Sequence, residues 1–300
     1  MIKELLHGAA WRTEAIVRGR VLASLRRNSA APRQSKWLNF RQMLSLFLTD
    51  EVAGVRVEAM GVAGVTDEEG YFTLRLPRGD VSGWQEVAVS LSDQRVEANC
   101  PVLVPRSDAK FGVISDIDDT MLHTGAYALW RNLWNSLTGN ALTRRVFPDA
   151  VHFISALAEA GRNPVYYVSS SPWNLHHFLT LVFERADLLR GPMFLRDLGL
   201  SPSQFVTGTH GDHKGGAIDT LMQANPDLKF VLVGDTGQHD AFVYRDAVLR
   251  HPGRVIAVVL REPGPGADNA SCAAMAETRR AGVRAFHATD FDAIAPKITK

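Results

Sequence analysis

Hydrophobic and polar positions follow two regimes along the chain. Up to about residue 105, apolar residues tend to recur at every second position. Ile16 to Leu22 alternates loosely, Val55 to Ala59 cleanly, and Tyr71 to Leu76 sets Phe72, Leu74 and Leu76 on one face. Thr66 to Gly70 reads as the turn before that last run, and Glu86 to Leu91 and Pro101 to Val104 add strands. Short strands with frequent turns predict a β-sandwich-like fold. The polar, turn-rich stretch Pro105 to Lys110 marks a boundary. The expected division is a small β-rich domain over residues 1–106 and a second domain over 107–300.

From residue 111 the pattern becomes strand, helix, strand, helix. Strands are expected over 111–115, 164–168, 230–234 and 254–260, and helices over 149–160, 174–185, 214–223 and 240–250. Such alternation predicts an α/β fold: a parallel sheet joined by crossover helices. Each of the first three strands ends in polar residues. In open sheets of this kind, ligands sit at the carboxyl ends of the strands.

Composition narrows the class. A hydrophobic fraction of 46% and a charged fraction of 22% over 300 residues are those of a soluble globular protein. A net charge of +1 carries no nucleic-acid footprint, so no nucleic-acid partner is expected. Cys100 and Cys272, far apart, make no disulfide framework, which fits a reducing cytoplasm. No apolar run reaches the length of a membrane span. Residues 1–49, however, hold nine basic side chains and two acidic ones. This segment is either an ordinary solvated face or a peripheral contact with an anionic membrane, at the inner face of the bilayer. Tyr127, Leu129, Trp130, Leu133 and Trp134 are spaced for one helical face, as lid, lipid-facing patch or core.

The chemistry begins at Phe111 to Thr120. An apolar strand stops at Asp116-Ile117-Asp118-Asp119-Thr120. On extended backbone, residues two apart point the same way, so Asp116 and Asp118 are expected close together. Close carboxylates repel, so a cation is expected beside them, and Mg²⁺ suits oxygen ligands. One carboxylate can then attack phosphorus, and the other can protonate the leaving oxygen and later deprotonate a water. The second strand runs into Ser169-Ser170-Ser171, a hydroxyl-rich turn before a helix. Ser169 is the expected phosphoryl-oxygen ligand, with Ser171 or Asn174 as helix cap. Lys214, read as a helix opener, is poorly placed for the helix dipole unless it faces an anion. His210 and His213 are expected as loop residues. The third strand ends at Gly234-Asp235, where Asp235 is a further Mg²⁺ ligand; Asp240 either orients a metal-bound water or begins the next helix.

These motifs, in this order, resemble the haloacid dehalogenase superfamily of phosphohydrolases over residues 111–262. A narrower similarity lies in Asp116 to Thr120, Tyr167 to Asn174, Gly191-Pro192 to Arg196-Asp197, and Gly234 to Asp240. These runs resemble the phosphatidate phosphatase catalytic-domain family first known from a yeast actin-patch protein. Val65 to Leu76 is similar to the small transthyretin-like sandwiches found beside enzymes. The resemblance implies a Rossmann-like haloacid dehalogenase sheet and Mg²⁺-dependent removal of phosphate from phosphatidate, giving diacylglycerol. Carried onto these residues, Asp116 is the nucleophile and Asp118 the acid and base. Ser169 and Lys214 hold phosphoryl oxygens, and Thr120 fixes the loop. Asp116, Asp235, Asp240 and the Asp118 carbonyl form the metal site. A phosphatase for a soluble phosphomonoester and an inert lipid- or protein-binding module are the other readings.

Overall fold

The computed structural model describes residues 7–10, 14–23, 51–78, 80–91, 96–122, 146–196, 210–237, 239–262, 267–292 and 294–299. The stripe of aromatics at 127–134 and most of the basic residues of 1–49 lie outside them.

The N-terminal part contains strands β1 (His7–Ala10), β2 (Glu14–Arg20), β3 (Arg56–Ala59), β4 (Val62–Val65), β5 (Tyr71–Pro77), β6 (Gly83–Leu91) and β7 (Val96–Val104). They form one sheet in the order β4-β3-β6-β7-β1-β2-β5. Every neighbouring pair is antiparallel except β1 and β7. The β3–β4 hairpin turns at Met60 and Gly61, both at positive φ, which matches the twist of the strands it joins. The alternation on β5 holds, with Phe72, Leu74 and Leu76 buried. Two stacked sheets were expected; one sheet curled on itself is found. Each strand has one apolar face to bury, and curling does this without a second sheet. The two edge strands approach closely enough that a Cβ on Gly64 of β4 would stand 2.8 Å from Leu74 of β5. Val17, Val57, Leu74, Val89, Cys100 and Val102 fill the interior.

The second part contains β8 (Gly112–Ser115), α1 (Pro148–Ala158), β9 (Val165–Pro172), α2 (His176–Arg185), β10 (Met193–Arg196), α3 (His210–Ala224) and β11 (Phe230–Asp235). It continues through α4 (Asp240–Arg250), β12 (Val255–Arg261), α5 (Asn269–Arg280), β13 (Arg284–Ala288) and α6 (Ala295–Thr299). The six strands pair parallel in the order β10-β9-β8-β11-β12-β13. Successive strand residues face opposite ways, so both faces are apolar. Val113, Tyr167, Val231 and Val259 pack under α1, α2 and α6. Ile114, Tyr166, Leu232 and Val258 pack under α3, α4 and α5. The chain winds outward from β8 to β10, then returns to β11 on the other side of β8. This is a doubly wound order whose switch point lies between the carboxyl ends of β8 and β11. The two expected aspartate motifs stand at those two ends.

The curled sheet packs against this second part. Tyr71 joins the core around Trp173, with ring centroids 6.3 Å apart, and the Arg18 guanidinium lies 5.7 Å from both rings. Arg20, buried, bonds to Glu51 and the Glu69 carbonyl. These two arginines of the basic segment are therefore engaged inside the fold. No helix among the described residues is long and apolar enough to cross a membrane.

Candidate active site

Strand β8 ends at Ser115, and the chain turns at once. Asp116 is anchored by its N–H, which donates to the Val233 carbonyl of β11 at 2.8 Å. Its buried carboxylate has two partners. Oδ1 is 2.9 Å from the Lys214 ammonium, and Oδ2 accepts from the Thr120 hydroxyl at 3.4 Å. The turn closes through Asp119, whose φ of +55° lies in the left-handed region that aspartate tolerates. Met121 and Leu122 N–H groups then donate back to the Ile117 carbonyl.

Asp118 lies near Asp116 but is held differently. Its Oδ2 accepts from the Ser169 hydroxyl at 2.9 Å and from the Ser171 hydroxyl at 2.7 Å. The Ser171 N–H donates to Ser169 Oγ at 2.9 Å, tying the pair together. Both serines sit on β9, two residues apart, so they point the same way. That spacing is the sequence signal for Ser171, whereas the pattern before the helix suggests Ser171 or Asn174 as its cap. In the structure neither the short 3₁₀ turn Trp173–Leu175 nor α2 has a side-chain cap.

Lys214 differs from its expected place. The helix begins at His210, so Lys214 lies in its second turn, and His210 and His213 are helical. Its ammonium is buried, 2.9 Å from Asp116 Oδ1 and 2.6 Å from Asp240 Oδ1. Burial alone would lower its pKa, but Asp116 and Asp240 together raise it well above the lysine range.

Asp235 closes the site from β11. Its Oδ1 accepts from the Gly237 N–H at 2.6 Å, and its N–H donates to Asp240 Oδ2 at 3.2 Å. Asp240 thus both opens α4 and belongs to the cluster. Gly234 makes this possible, because a Cβ there would collide with Asp240 Oδ2 and the Tyr244 ring. The Tyr244 hydroxyl donates to the Val233 carbonyl at 2.8 Å, bracing the strand end.

Asp116, Asp235 and Asp240 each present an oxygen within 4.8 Å of the others. One lysine faces these three buried acids. Burial pushes Asp235 up to about 9, with Asp240 and Asp116 adding to the effect. Burial also holds Asp116 well above the carboxylate range, against the pull of Lys214. Asp235 Oδ2 is buried with no hydrogen-bond partner among the described residues. An orphaned carboxylate oxygen inside a triad of hard oxygen donors fits a divalent cation such as Mg²⁺. The Asp118 carboxylate belongs to the serine pair, not to this triad.

Sequence reasoning missed Arg261 altogether. It is fully buried at the end of β12, beside Asp235 in the sheet register, and donates to the Thr120 carbonyl at 2.9 Å.

Residues 111–262 match the family described as phosphatidate phosphatase APP1, catalytic domain. Phosphatidate phosphatase APP1 of Saccharomyces cerevisiae is 28% identical over 150 residues, which is 50% of this chain and 25% of that protein. An uncharacterized protein of Schizosaccharomyces pombe is 24% identical over 151 residues, with the same shares. The chain therefore spans about a quarter of the length of these curated relatives. Among solved structures, a carbohydrate acetylesterase from Xanthomonas citri covers 99% of this chain and 72% of its own, at 11% identity and a TM-score of 0.33. That score is too low to define a shared fold.

Proposed function

The chain belongs to the phosphatidate phosphatase APP1 catalytic-domain family, and we propose that it hydrolyses phosphatidate to diacylglycerol and phosphate through an aspartyl-phosphate on Asp116. The observation that carries this reading is the division of labour between two neighbouring aspartates. Asp116 shares a buried pocket with Lys214, Asp235 and Asp240, while Asp118 is held apart by two serine hydroxyls. A nucleophile and a proton carrier need different environments. The same motif order underlies the proposed kinship with the haloacid dehalogenase superfamily.

The residues act in two half-reactions. An Asp116 oxygen bonds to phosphorus as the ester P–O bond breaks, and the Asp118 proton goes to the departing alkoxide. Asp118 then takes a proton from water, whose oxygen bonds to phosphorus as the bond to Asp116 breaks. Phosphate leaves and Asp116 is restored. Lys214 offsets charge on the transferring group, where phosphoryl transfer is limited by electrostatics and positioning. Ser169, which lies within β9 rather than after it, keeps Asp118 oriented through its hydroxyl and is the proposed contact for a phosphoryl oxygen. Thr120 holds Asp116 Oδ2. Asp116, Asp235, Asp240 and the Asp118 carbonyl would hold Mg²⁺, which when bound neutralises phosphoryl oxygens.

Phosphatidate is anionic and water-insoluble, so an enzyme acting on it must visit a bilayer surface. The basic residues of 1–49 outside β2 are the proposed peripheral contact, on a cytoplasmic face. The test is phosphate release by purified protein from phosphatidate vesicles and from a panel of soluble phosphomonoesters, with Mg²⁺ and with excess chelator. Magnesium-dependent release favouring the vesicles is expected. Release from soluble esters alone would leave the hydrolase and overturn the lipid substrate. Equal release in excess chelator would overturn the metal.

A further inference from the structure

We infer that Arg261 is a positioning residue of the catalytic loop, and that it binds that loop to the C-terminal segment beyond the family match. Its guanidinium is buried at the end of β12, with 1% of the side chain exposed. Burying such a charge is costly unless it is paired and hydrogen-bonded, and here each of its three nitrogens donates to an oxygen. Nε donates to the Thr120 carbonyl at 2.9 Å, Nη1 to the Thr289 carbonyl at 2.9 Å, and Nη2 to Asp149 Oδ2 at 2.7 Å. The planar group lies 4.0 Å from the Phe147 ring centroid and 4.2 Å from that of Phe291. Asp149 Oδ2 also accepts from the Phe291 N–H at 2.8 Å.

Four segments distant in sequence therefore meet at one side chain: the 116–120 turn, the start of α1, the end of β12 and the 289–291 stretch. The contact to Thr120 matters for chemistry. The Thr120 hydroxyl donates to the proposed nucleophile, Asp116, while its carbonyl is fixed by Arg261. On the other side, the Arg261 carbonyl accepts from the Thr236 N–H at 2.9 Å, next to Asp235. The Arg261 side chain thus ties the 116–120 turn to the end of β12, whose backbone also holds Thr236 beside Asp235. It touches no reacting atom; it acts through Thr120. Lysine cannot replace it, since only a guanidinium offers donors in a fixed fork between two rings.

The inference rests on the proposed hydrolysis, so its test has one readout that does not need turnover. Arg261→Lys should lower kcat on phosphatidate with Mg²⁺ by about tenfold to a hundredfold, the scale of a small displacement near a reacting centre, with KM little changed. In a double-mutant cycle with Thr120→Val, which removes the hydroxyl that reaches Asp116, the two losses should be far from multiplicative. Hydrogen exchange of the folded Arg261→Lys protein should speed up in peptides covering 116–122 and stay unchanged in the curled N-terminal sheet. Asp149→Asn, which keeps an acceptor and the local volume, should show the same pattern more weakly, and replaces Arg261→Lys if that variant does not fold. Unchanged exchange at 116–122 would overturn the inference whether or not the protein is a phosphatase. So would multiplicative losses in an active enzyme. An inactive wild-type protein that showed the exchange effect would overturn the functional reading alone.

Discussion

Replacing Lys214 by methionine removes the cation facing three buried acids while keeping an unbranched side chain of similar length. The ammonium stands 2.9 Å from Asp116 and 2.6 Å from Asp240. At an effective dielectric near 20, a pair at such a distance attracts by about 6 kcal/mol before desolvation is subtracted. The net figure is smaller, because the lysine also gave up its hydration. Removing one partner of a buried pair typically costs about 3–5 kcal/mol, since the other charge is left uncompensated. Total stabilities are only about 5–15 kcal/mol, so the metal-free variant should lose a large share of its stability at neutral pH. The acids can escape the penalty by taking up protons. Burial already holds Asp116 above the usual range, and Lys214 opposes that shift. Without Lys214 the carboxyl should titrate higher still. Urea denaturation in chelator should show a loss of several kcal/mol near pH 8 and a much smaller one near pH 5. Added Mg²⁺ should recover part of the loss. Turnover should fall by about 10²–10³-fold, as when one donor to a developing charge is deleted. A variant as stable as wild type near pH 8 in chelator would refute the electrostatic account of this pocket.

Asp235 gives a pH dependence of definite sign. Its pKa is pushed from 3.8 up to about 9, chiefly by burial, so the folded metal-free protein holds a proton that the unfolded chain releases. The stability from this group is fully present below about pH 4 and is lost as pH rises through about 9. The urea midpoint in chelator should fall across that window; a midpoint rising throughout it would contradict the assignment. Mg²⁺ binding should release protons below about pH 9, measurable by titration calorimetry in two buffers of different ionisation enthalpy. Ser169→Ala and Ser171→Ala each remove one hydrogen bond to Asp118 Oδ2, worth about 0.5–1.5 kcal/mol. Each should slow turnover most with poor leaving groups, and equal slowing for good and poor leaving groups would argue against Asp118 as the proton donor.

The residues were easier to read than their partners. Apolar runs leading into Asp116, Ser169 and Asp235 revealed three parallel strands, because a buried parallel strand is a local pattern, although β9 continues past Ser169 to Pro172. The order of the strands was not local and could not be read. Period two predicted that Asp116 and Asp118 would share a direction. The strand stops at Ser115, however, and the left-handed Asp119 lets the two acids take different partners. Lys214 was found for an imperfect reason: its helix starts four residues earlier, and what holds it is Asp240, 26 positions away. Arg261 left no trace in the sequence, since it meets Thr120 and Asp149 across separations of 141 and 112 residues. The curling of the N-terminal sheet was likewise hidden, because alternation marks a buried face without saying what covers it.

The central claim is that Asp116 carries the phosphoryl group and Asp118 moves the proton. Its most direct test is acid-quenched mass spectrometry of the Asp118→Asn protein, mixed with Mg²⁺ and an activated phosphomonoester whose leaving group needs no proton. With the water-activating base removed, a phosphoryl group should accumulate on the peptide carrying Asp116. Continued release of phosphate by this variant with no phosphoryl group on that peptide at any quench time would contradict the account.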